Sequence, residues 1–116
     1  MLPTAAGKAQ LSAHAALDKK ARALQVLDLQ ALSGIADYFL ICTGNSTTHV
    51  RSIAEAIEAS LKTEGHRVLH REGLPESGWL LLDYGDVVIH VFLPETRDFY
   101  ALERLWGDAP ELPTEA

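Results

Sequence analysis

Residues 38–61 decide the fold, and they read YFLICTGNSTTHVRSIAEAIEASL. The run from 38 to 43 is almost entirely apolar, which is typical of a strand covered on both faces. Gly44 ends that run, and a side-chain oxygen within residues 45–47 can cap the helix that follows. Apolar residues then recur at spacings of three and four and predict one buried helix face: Val50, Ile53, Ile57 and Leu61. The stretch therefore predicts a strand that leads directly into an amphipathic helix.

Further elements flank this unit. The alanine-rich residues 5–20 predict a helix with a thin apolar stripe, which we expect to dock loosely, and residues 24–29 predict a strand. Gly65 can end the central helix in the left-handed conformation, and residues 67–70 predict a short strand after it. Strand, helix and strand in this order predict a right-handed crossover unit.

The C-terminal half predicts a hairpin and a closing helix. Residues 79–84 and 87–93 read as two strands with a short connection, which makes them antiparallel. Residues 95–106 predict a helix whose apolar face carries Phe99, Leu102 and Trp106. We therefore expect an α/β fold for residues 1–106, with a mixed sheet of about five strands flanked by helices. Residues 107–116 contain two prolines and three acids and predict a disordered tail.

Composition indicates one globular domain. The chain has 116 residues, of which 47% are hydrophobic and 22% charged. No apolar run approaches the roughly 20 residues that span a bilayer, and the N-terminus lacks signal-peptide and transit-peptide features. We therefore expect a cytoplasmic protein without a membrane partner.

The charge balance favours a protein partner. Sixteen acidic and ten basic side chains give a formal net charge of −6. Such a domain is poorly suited to neutralising phosphates, so we expect no direct nucleic-acid binding. Opposite potentials steer an acidic domain towards a basic protein instead.

The strand-to-helix turn at residues 43–46 is the first candidate for chemistry. It could hold a phosphate at the helix N-terminus, or it could simply cap the helix. It is also similar to the Gly-Ser opening of nucleotidyltransferases, which need two carboxylates one residue apart on the next strand to hold magnesium. Residues 68–72 read VLHRE and offer no such pair. The sequence therefore predicts no catalytic metal site and no cofactor.

Other polar side chains have an ordinary structural interpretation beside a functional one. Asp83 and Asp86 flank the hairpin turn, where aspartate bonds its own backbone, although two carboxylates could also divide acid and base roles. His90 lies in an apolar strand, which favours a hydrogen-bonded structural histidine over a partner contact. Cys42, the single cysteine, is expected in the core, and no histidine pair has helical metal-ligand spacing.

Trp79 is the strongest candidate for partner binding. It begins a strand after the glycine-flanked loop 73–78. Tryptophan is enriched at binding hot spots, although core packing is a comparable interpretation. Side chains alternate along a strand, so Trp79 and Leu80 point to opposite faces.

Several motifs resemble those of one known family in the same order. These are ICTGNS at 41–46 with His49, Val50 and 52–54; Glu72, Gly73 and Trp79 with DYGDVVIHVF at 83–92; and ETR at 95–97 with Tyr100, Leu102, Glu103, Leu105 and Trp106. The match covers about residues 10–106. The chain resembles the ribosomal silencing factor family, also called the Iojap-like family.

The resemblance implies a fold related to nucleotidyltransferases but without their activity. It implies binding to ribosomal protein fourteen of the large ribosomal subunit, which blocks joining of the small subunit and represses translation when nutrients are scarce. It also implies a homodimer off the ribosome. We expect the partner-binding residues to be Glu72, Gly73, Trp79, Leu80, Asp83 and His90. A small nucleotidyltransferase-like enzyme and a metabolite-binding or structural module remain the alternatives.

Overall fold

Within residues 4–32 and 34–113, which the computed structural model describes, six strands form one mixed sheet. Their order in the sheet is β3-β4-β5-β2-β1-β6. The central neighbours β2 and β5 are parallel, and all other neighbours are antiparallel. The predicted mixed α/β sheet is therefore confirmed, with one strand more than expected. The strands are β1 (Arg22–Asp28), β2 (Tyr38–Thr43), β3 (His70–Glu72), β4 (Trp79–Asp83), β5 (Val87–Phe92) and β6 (Glu111–Leu112).

Four α-helices accompany the sheet in the described part of the chain. They are α1 (Ala5–Asp18), α2 (Thr47–Thr63), α3 (Pro94–Tyr100) and α4 (Leu102–Leu105), with a short 3-10 turn at Pro75–Ser77. Within the same residues, no helix combines the length and apolar character needed to cross a membrane. The helices α1 and α2 pack on each other and cover one face of the sheet.

The predicted central helix is confirmed as α2. The Ser46 hydroxyl accepts a hydrogen bond from the His49 backbone N–H at 3.1 Å and so caps the first turn. The four apolar residues at helical spacing are all fully buried against the sheet. Capping is therefore the observed role of the turn between β2 and α2.

The strand after α2 lies at the edge of the sheet. It begins at His70 and pairs with β4, so the strand predicted at residues 67–70 is displaced towards the C-terminus. The pairing directions make β3 run the same way as β2, but β4 and β5 lie between them. With neighbouring strands about 4.8 Å apart, β3 lies roughly 14 Å from β2. The crossover therefore joins two strands that are not neighbours.

The N-terminal helix docks closely rather than loosely. Ala9, Ala13 and Ala16 of α1 are at most 1% exposed and belong to the core cluster shared with α2. Their small side chains let the helix backbone approach its neighbours, a contact that a search for large apolar residues misses. Lys8, which is also buried, donates from Nζ to the Asp86 carboxylate at 2.8 Å and ties α1 to the β4–β5 turn.

The closing segment differs from the single helix predicted at residues 95–106. Ala101 adopts the left-handed conformation, with φ of 45°, and separates α3 from α4. Phe99 is consequently 80% exposed, whereas Leu102 and Trp106 pack on the second face of the sheet. The predicted disorder after residue 106 is also wrong as far as residue 113, because β6 pairs with β1. Residues 114–116 of the predicted tail lie outside the described residues.

Candidate protein-docking face

The sheet presents one incompletely covered surface beside its β3 edge. Alternation along β4 sends Leu80 and Leu82 towards the helices α1 and α2, and the odd-numbered residues to the other side. Directly paired residues of antiparallel strands share a face, and His70 pairs with Asp83 while Glu72 pairs with Leu81. We call this surface the open face and define it as His70, Glu72, Trp79, Leu81, Asp83 and the neighbouring Tyr100.

The C-terminal segment leaves the open face uncovered. Leu102, Trp106 and Ala109 pack against the second core cluster, which is formed mainly by residues of β1, β2 and β5. The Phe39 and Trp106 rings meet edge to face at 6.0 Å. In the part of the chain that the structure describes, the side chains of β4 that point to this side remain only half-buried. A partner can therefore reach β4 and β3 without displacing α4.

Trp79 is held by aromatic neighbours on the open face. Its ring stacks on Phe92 with centroids 5.0 Å apart and contacts Tyr100 at 4.8 Å. Its indole N–H donates a hydrogen bond to Nδ1 of His90 at 3.1 Å. Trp79 therefore packs against the fold on one side and remains half-exposed on the other. Core packing is observed, and the exposed part of the ring remains available for partner binding.

His90, on the neighbouring strand β5, holds the Trp79 side chain in place through this hydrogen bond. It is only 3% exposed, and burial lowers the pKa of its imidazole to about 4. Because Nδ1 accepts the hydrogen bond from Trp79, the neutral ring carries its proton on Nε2, an assignment that follows from the hydrogen-bond geometry. The structural interpretation of His90 is confirmed, and its burial leaves very little of the side chain for a partner to contact directly.

Leu80, also predicted as a partner contact, does not lie on the open face. It is fully buried on the side of the sheet that faces α1 and α2, as the alternation with Trp79 requires. The structure brings the other four expected contact residues, Glu72, Gly73, Trp79 and Asp83, to the β3–β4 side of the sheet. Tyr100 and Leu81 were missed, although Leu81 follows Trp79 by the two-residue period of a strand.

A cavity of about 290 Å³ opens between the β3–β4 loop and α3. Glu72, Gly73, Ser77, Trp79, Leu81 and Tyr100 line it. Gly73 has a φ of +83°, and a Cβ at this position would overlap the carbonyl oxygen of Trp79. The glycine is therefore required where the backbone of the loop passes close to the start of β4.

The other candidate reactive groups, Cys42, Asp83 and Asp86, are either buried or bonded to other groups of the protein. Burial raises the pKa of the Cys42 thiol to about 12, so the thiol stays protonated. The Asp83 carboxylate accepts a hydrogen bond from the Gly85 backbone N–H at 2.7 Å, and Asp86 pairs with Lys8. The turn interpretation of Asp83 is therefore confirmed.

A buried arginine occupies the neighbourhood of the turn between β2 and α2. Arg97 donates from Nη1 to the Ala23 carbonyl at 2.6 Å and to the Thr43 hydroxyl at 2.9 Å. Its Nη2 donates to Gln25 at 3.1 Å, and its Nε lies 3.4 Å from the Glu103 carboxylate. The guanidinium of Arg97, a residue of α3, therefore connects this helix to β1, β2 and α4. Most of its N–H groups donate to other groups of the protein.

The carboxylate pair of a nucleotidyltransferase is not assembled beside this turn. The strand after α2 carries a single acid, Glu72, and lies about three strand spacings from β2. Within residues 4–32 and 34–113, no group of three or more histidine, cysteine or acidic side chains is placed to hold a metal ion.

The open face presents the half-buried Trp79 and the exposed Tyr100 next to acidic side chains, an arrangement typical of protein-binding surfaces. A family model described as "ribosomal silencing factor during starvation" matches residues 3–116. The chain therefore belongs to the ribosomal silencing factor family, as the sequence motifs predict.

Individual relatives agree with this assignment. The chain is 46% identical over 101 residues to the ribosomal silencing factor RsfS of Bacillus subtilis, covering 87% of this chain and 86% of that protein. It is 35% identical over 91 residues to the Mus musculus protein called mitochondrial assembly of ribosomal large subunit protein 1, covering 76% of this chain and 40% of that longer protein. A crystal structure of a Chromobacterium violaceum protein superposes with a TM-score of 0.87 at 32% identity, covering 98% and 93% of the two chains.

Proposed function

We propose that this protein is a cytoplasmic ribosomal silencing factor whose open face docks on the large ribosomal subunit, at ribosomal protein fourteen. The open face carries the proposal, because it is the part of the sheet where aromatic side chains remain accessible next to acidic groups. The mouse relative is named for assembly of the ribosomal large subunit, which supports the choice of subunit.

The charges of the open face suit a ribosomal protein. Glu72 is exposed and Asp83 half-buried on this surface, within a chain of formal net charge −6. Ribosomal proteins are basic because they neutralise RNA, so opposite potentials accelerate encounter and fix orientation. The aromatic centre supplies affinity, and the acidic rim supplies steering.

We propose that silencing is steric and not catalytic. A domain of 116 residues that occupies the joining surface of the large subunit keeps the small subunit away without chemical change to either. Translation then falls when nutrients are scarce, because fewer complete ribosomes form.

The steric mechanism predicts a dependence on the order of addition. Protein added to separated subunits should lower the fraction that joins, as measured on sucrose gradients. The same amount added to joined ribosomes should act only as fast as the subunits separate spontaneously. Rapid splitting of joined ribosomes would contradict a steric block. Failure to pellet with isolated large subunits would remove the proposal altogether.

A homodimer off the ribosome is the second partner that we propose. Sedimentation velocity over a range of concentrations tests it, with a shift from one to two chains expected as concentration rises. A single species with the mass of one chain at every concentration would exclude the dimer without affecting docking.

A further inference from the structure

We propose that the cavity beside Trp79 receives one arginine side chain of the docking partner. This inference rests on the proposed function, because it names the partner chemistry that the open face recognises. The cavity combines an apolar aromatic wall with a carboxylate at its rim, a pairing that suits a long side chain with a delocalised positive charge.

The wall of the cavity suits the stem and the planar face of a guanidinium. Trp79, Leu81 and Tyr100 line it, and Tyr100 is 51% exposed. One neighbour of Trp79, Phe92, already stacks on its ring, and His90 accepts from its N–H. Tyr100 also contacts this ring, at a centroid distance of 4.8 Å, so a ligand can contact only the part of the indole that lines the cavity. Arginine stacks on aromatic rings and is attracted by their negative faces.

The rim supplies the charge that selects a cation. Glu72 lines the cavity, its side chain is 64% exposed, and its Oε1 lies 2.8 Å from Nε2 of His70. Among the described residues, Oε2 has no hydrogen-bond donor in contact and can accept from a guanidinium. Ser77 also lines the cavity, but its hydroxyl is engaged by backbone carbonyls of Leu74 and Trp79. Glu72 is therefore the group that distinguishes a cation from a neutral side chain.

Arginine fits this cavity better than lysine. A guanidinium can lie flat on the aromatic wall while its edge bonds to the carboxylate, whereas an ammonium is a strongly hydrated point charge. The backbone of Gly73 packs closely against the carbonyl group of Trp79, so the side of the cavity that these two residues form is held in place. A preformed cavity limits the entropy lost when the arginine side chain is bound.

The chain offers a matched control for Glu72. Glu76 lies across the same loop, and its side chain is 63% exposed, but it pairs with Arg51 of α2 at 3.2 Å and does not line the cavity. Glu72→Gln and Glu76→Gln therefore remove the same charge from equally exposed positions. Neither substitution touches the core, so both proteins should fold.

The first test uses a small probe. Nα-acetyl-arginine methylamide is titrated into the full chain while the NMR signals of the Trp79 indole N–H are followed, with the lysine and citrulline analogues in parallel. We expect the arginine analogue to bind about threefold or more tightly than the neutral citrulline analogue, the size of an exposed charge pair and a cation–π contact. Glu72→Gln should abolish that preference and Glu76→Gln should keep it. Equal binding of arginine and citrulline, or a preference that survives Glu72→Gln, overturns the proposal.

The second test separates this proposal from docking itself. Glu72→Gln should weaken binding to purified large subunits about threefold or more, and Glu76→Gln should leave it unchanged. If the wild-type protein binds and both variants bind equally well, the arginine proposal is wrong and docking stands. If the wild-type protein does not bind large subunits, the proposed function fails, and the probe titration still decides whether the cavity recognises arginine.

Discussion

His90 should make the fold sensitive to mild acid. Burial lowers the folded-state pKa of its imidazole to about 4, from an ordinary value of 6.5. The unfolded chain therefore binds a proton at pH values where the folded chain does not. Stability contributed by the neutral ring is complete above pH 6.5 and is lost as the pH falls from 6.5 towards 4. Protonation would also place an N–H on Nδ1, where Trp79 now donates at 3.1 Å.

The size of the effect follows from the shift. One pKa unit corresponds to about 1.4 kcal/mol, so a shift from 6.5 to about 4 is worth about 3 kcal/mol once both states are charged. Between pH 7 and pH 5 the loss should be about 2 kcal/mol, because most of the titration of the unfolded chain lies in that interval. For a domain of this size, that corresponds to a melting temperature lower by roughly 8 °C.

The assay compares urea unfolding at pH 7 and pH 5. His90→Asn keeps an oxygen near the position of Nδ1 but cannot titrate, and His14→Asn changes an exposed histidine of α1. We expect the wild-type protein and His14→Asn to lose about 2 kcal/mol more than His90→Asn over this interval. His90→Asn should be less stable than the wild-type protein at pH 7. An equal pH dependence in all three proteins would refute a buried neutral His90.

Three further variants test local features. Gly73→Ala should cost about 2 kcal/mol or more in urea unfolding, because the alanine would need a φ of +83° and its Cβ would meet the Trp79 carbonyl; unchanged stability would contradict the observed loop. Ala101→Gly should stabilise the fold by about 1 kcal/mol, because glycine adopts the left-handed conformation without strain, and a lower unfolding midpoint would argue against the break between α3 and α4. Replacing Asp83 and Asp86 together with asparagine should remove no nucleotidyl transfer in a magnesium-dependent assay, and a measured transfer that vanishes in this variant would restore the enzyme alternative.

The central helix and the hairpin could be predicted because local signals and tertiary packing agree there. Apolar residues at helical spacing lie on the buried face of α2, and a side-chain cap begins the helix. The connection at Gly85 joins β4 and β5, as a short turn between two apolar runs requires. Each signal lies within a few residues of the element that it predicts.

The N- and C-terminal segments could not be predicted because distant contacts decide their structure. The β6 strand is only two residues long and exists through its pairing with Val26 and Leu27 of β1. The close docking of α1 depends on alanines, which carry little hydrophobic signal. The break at Ala101 follows a residue type that favours helices, so propensity predicts the opposite.

The candidate site was predictable only where local sequence signals determine it. Trp79 was identified from its residue type and its place after the loop, and alternation predicted that Leu80 points away from it. Tyr100 comes from a helix beyond β5, so only the three-dimensional structure brings its ring to Trp79. The burial of His90 depends on neighbours from β4 and β2, including Phe39 at a ring distance of 4.7 Å.

The most direct test compares the two tryptophans. Both are half-buried and pack on the second core cluster, but Trp79 lies on the open face and Trp106 lies in the segment that covers β1, β2 and β5. The dissociation constant for isolated large subunits is measured for Trp79→Ala and Trp106→Ala at a temperature where circular dichroism shows both to be folded. We expect Trp79→Ala to bind at least about thirtyfold more weakly than the wild-type protein, and Trp106→Ala to bind nearly as well. Wild-type affinity in Trp79→Ala, or an equal loss in both variants, would contradict docking through the open face.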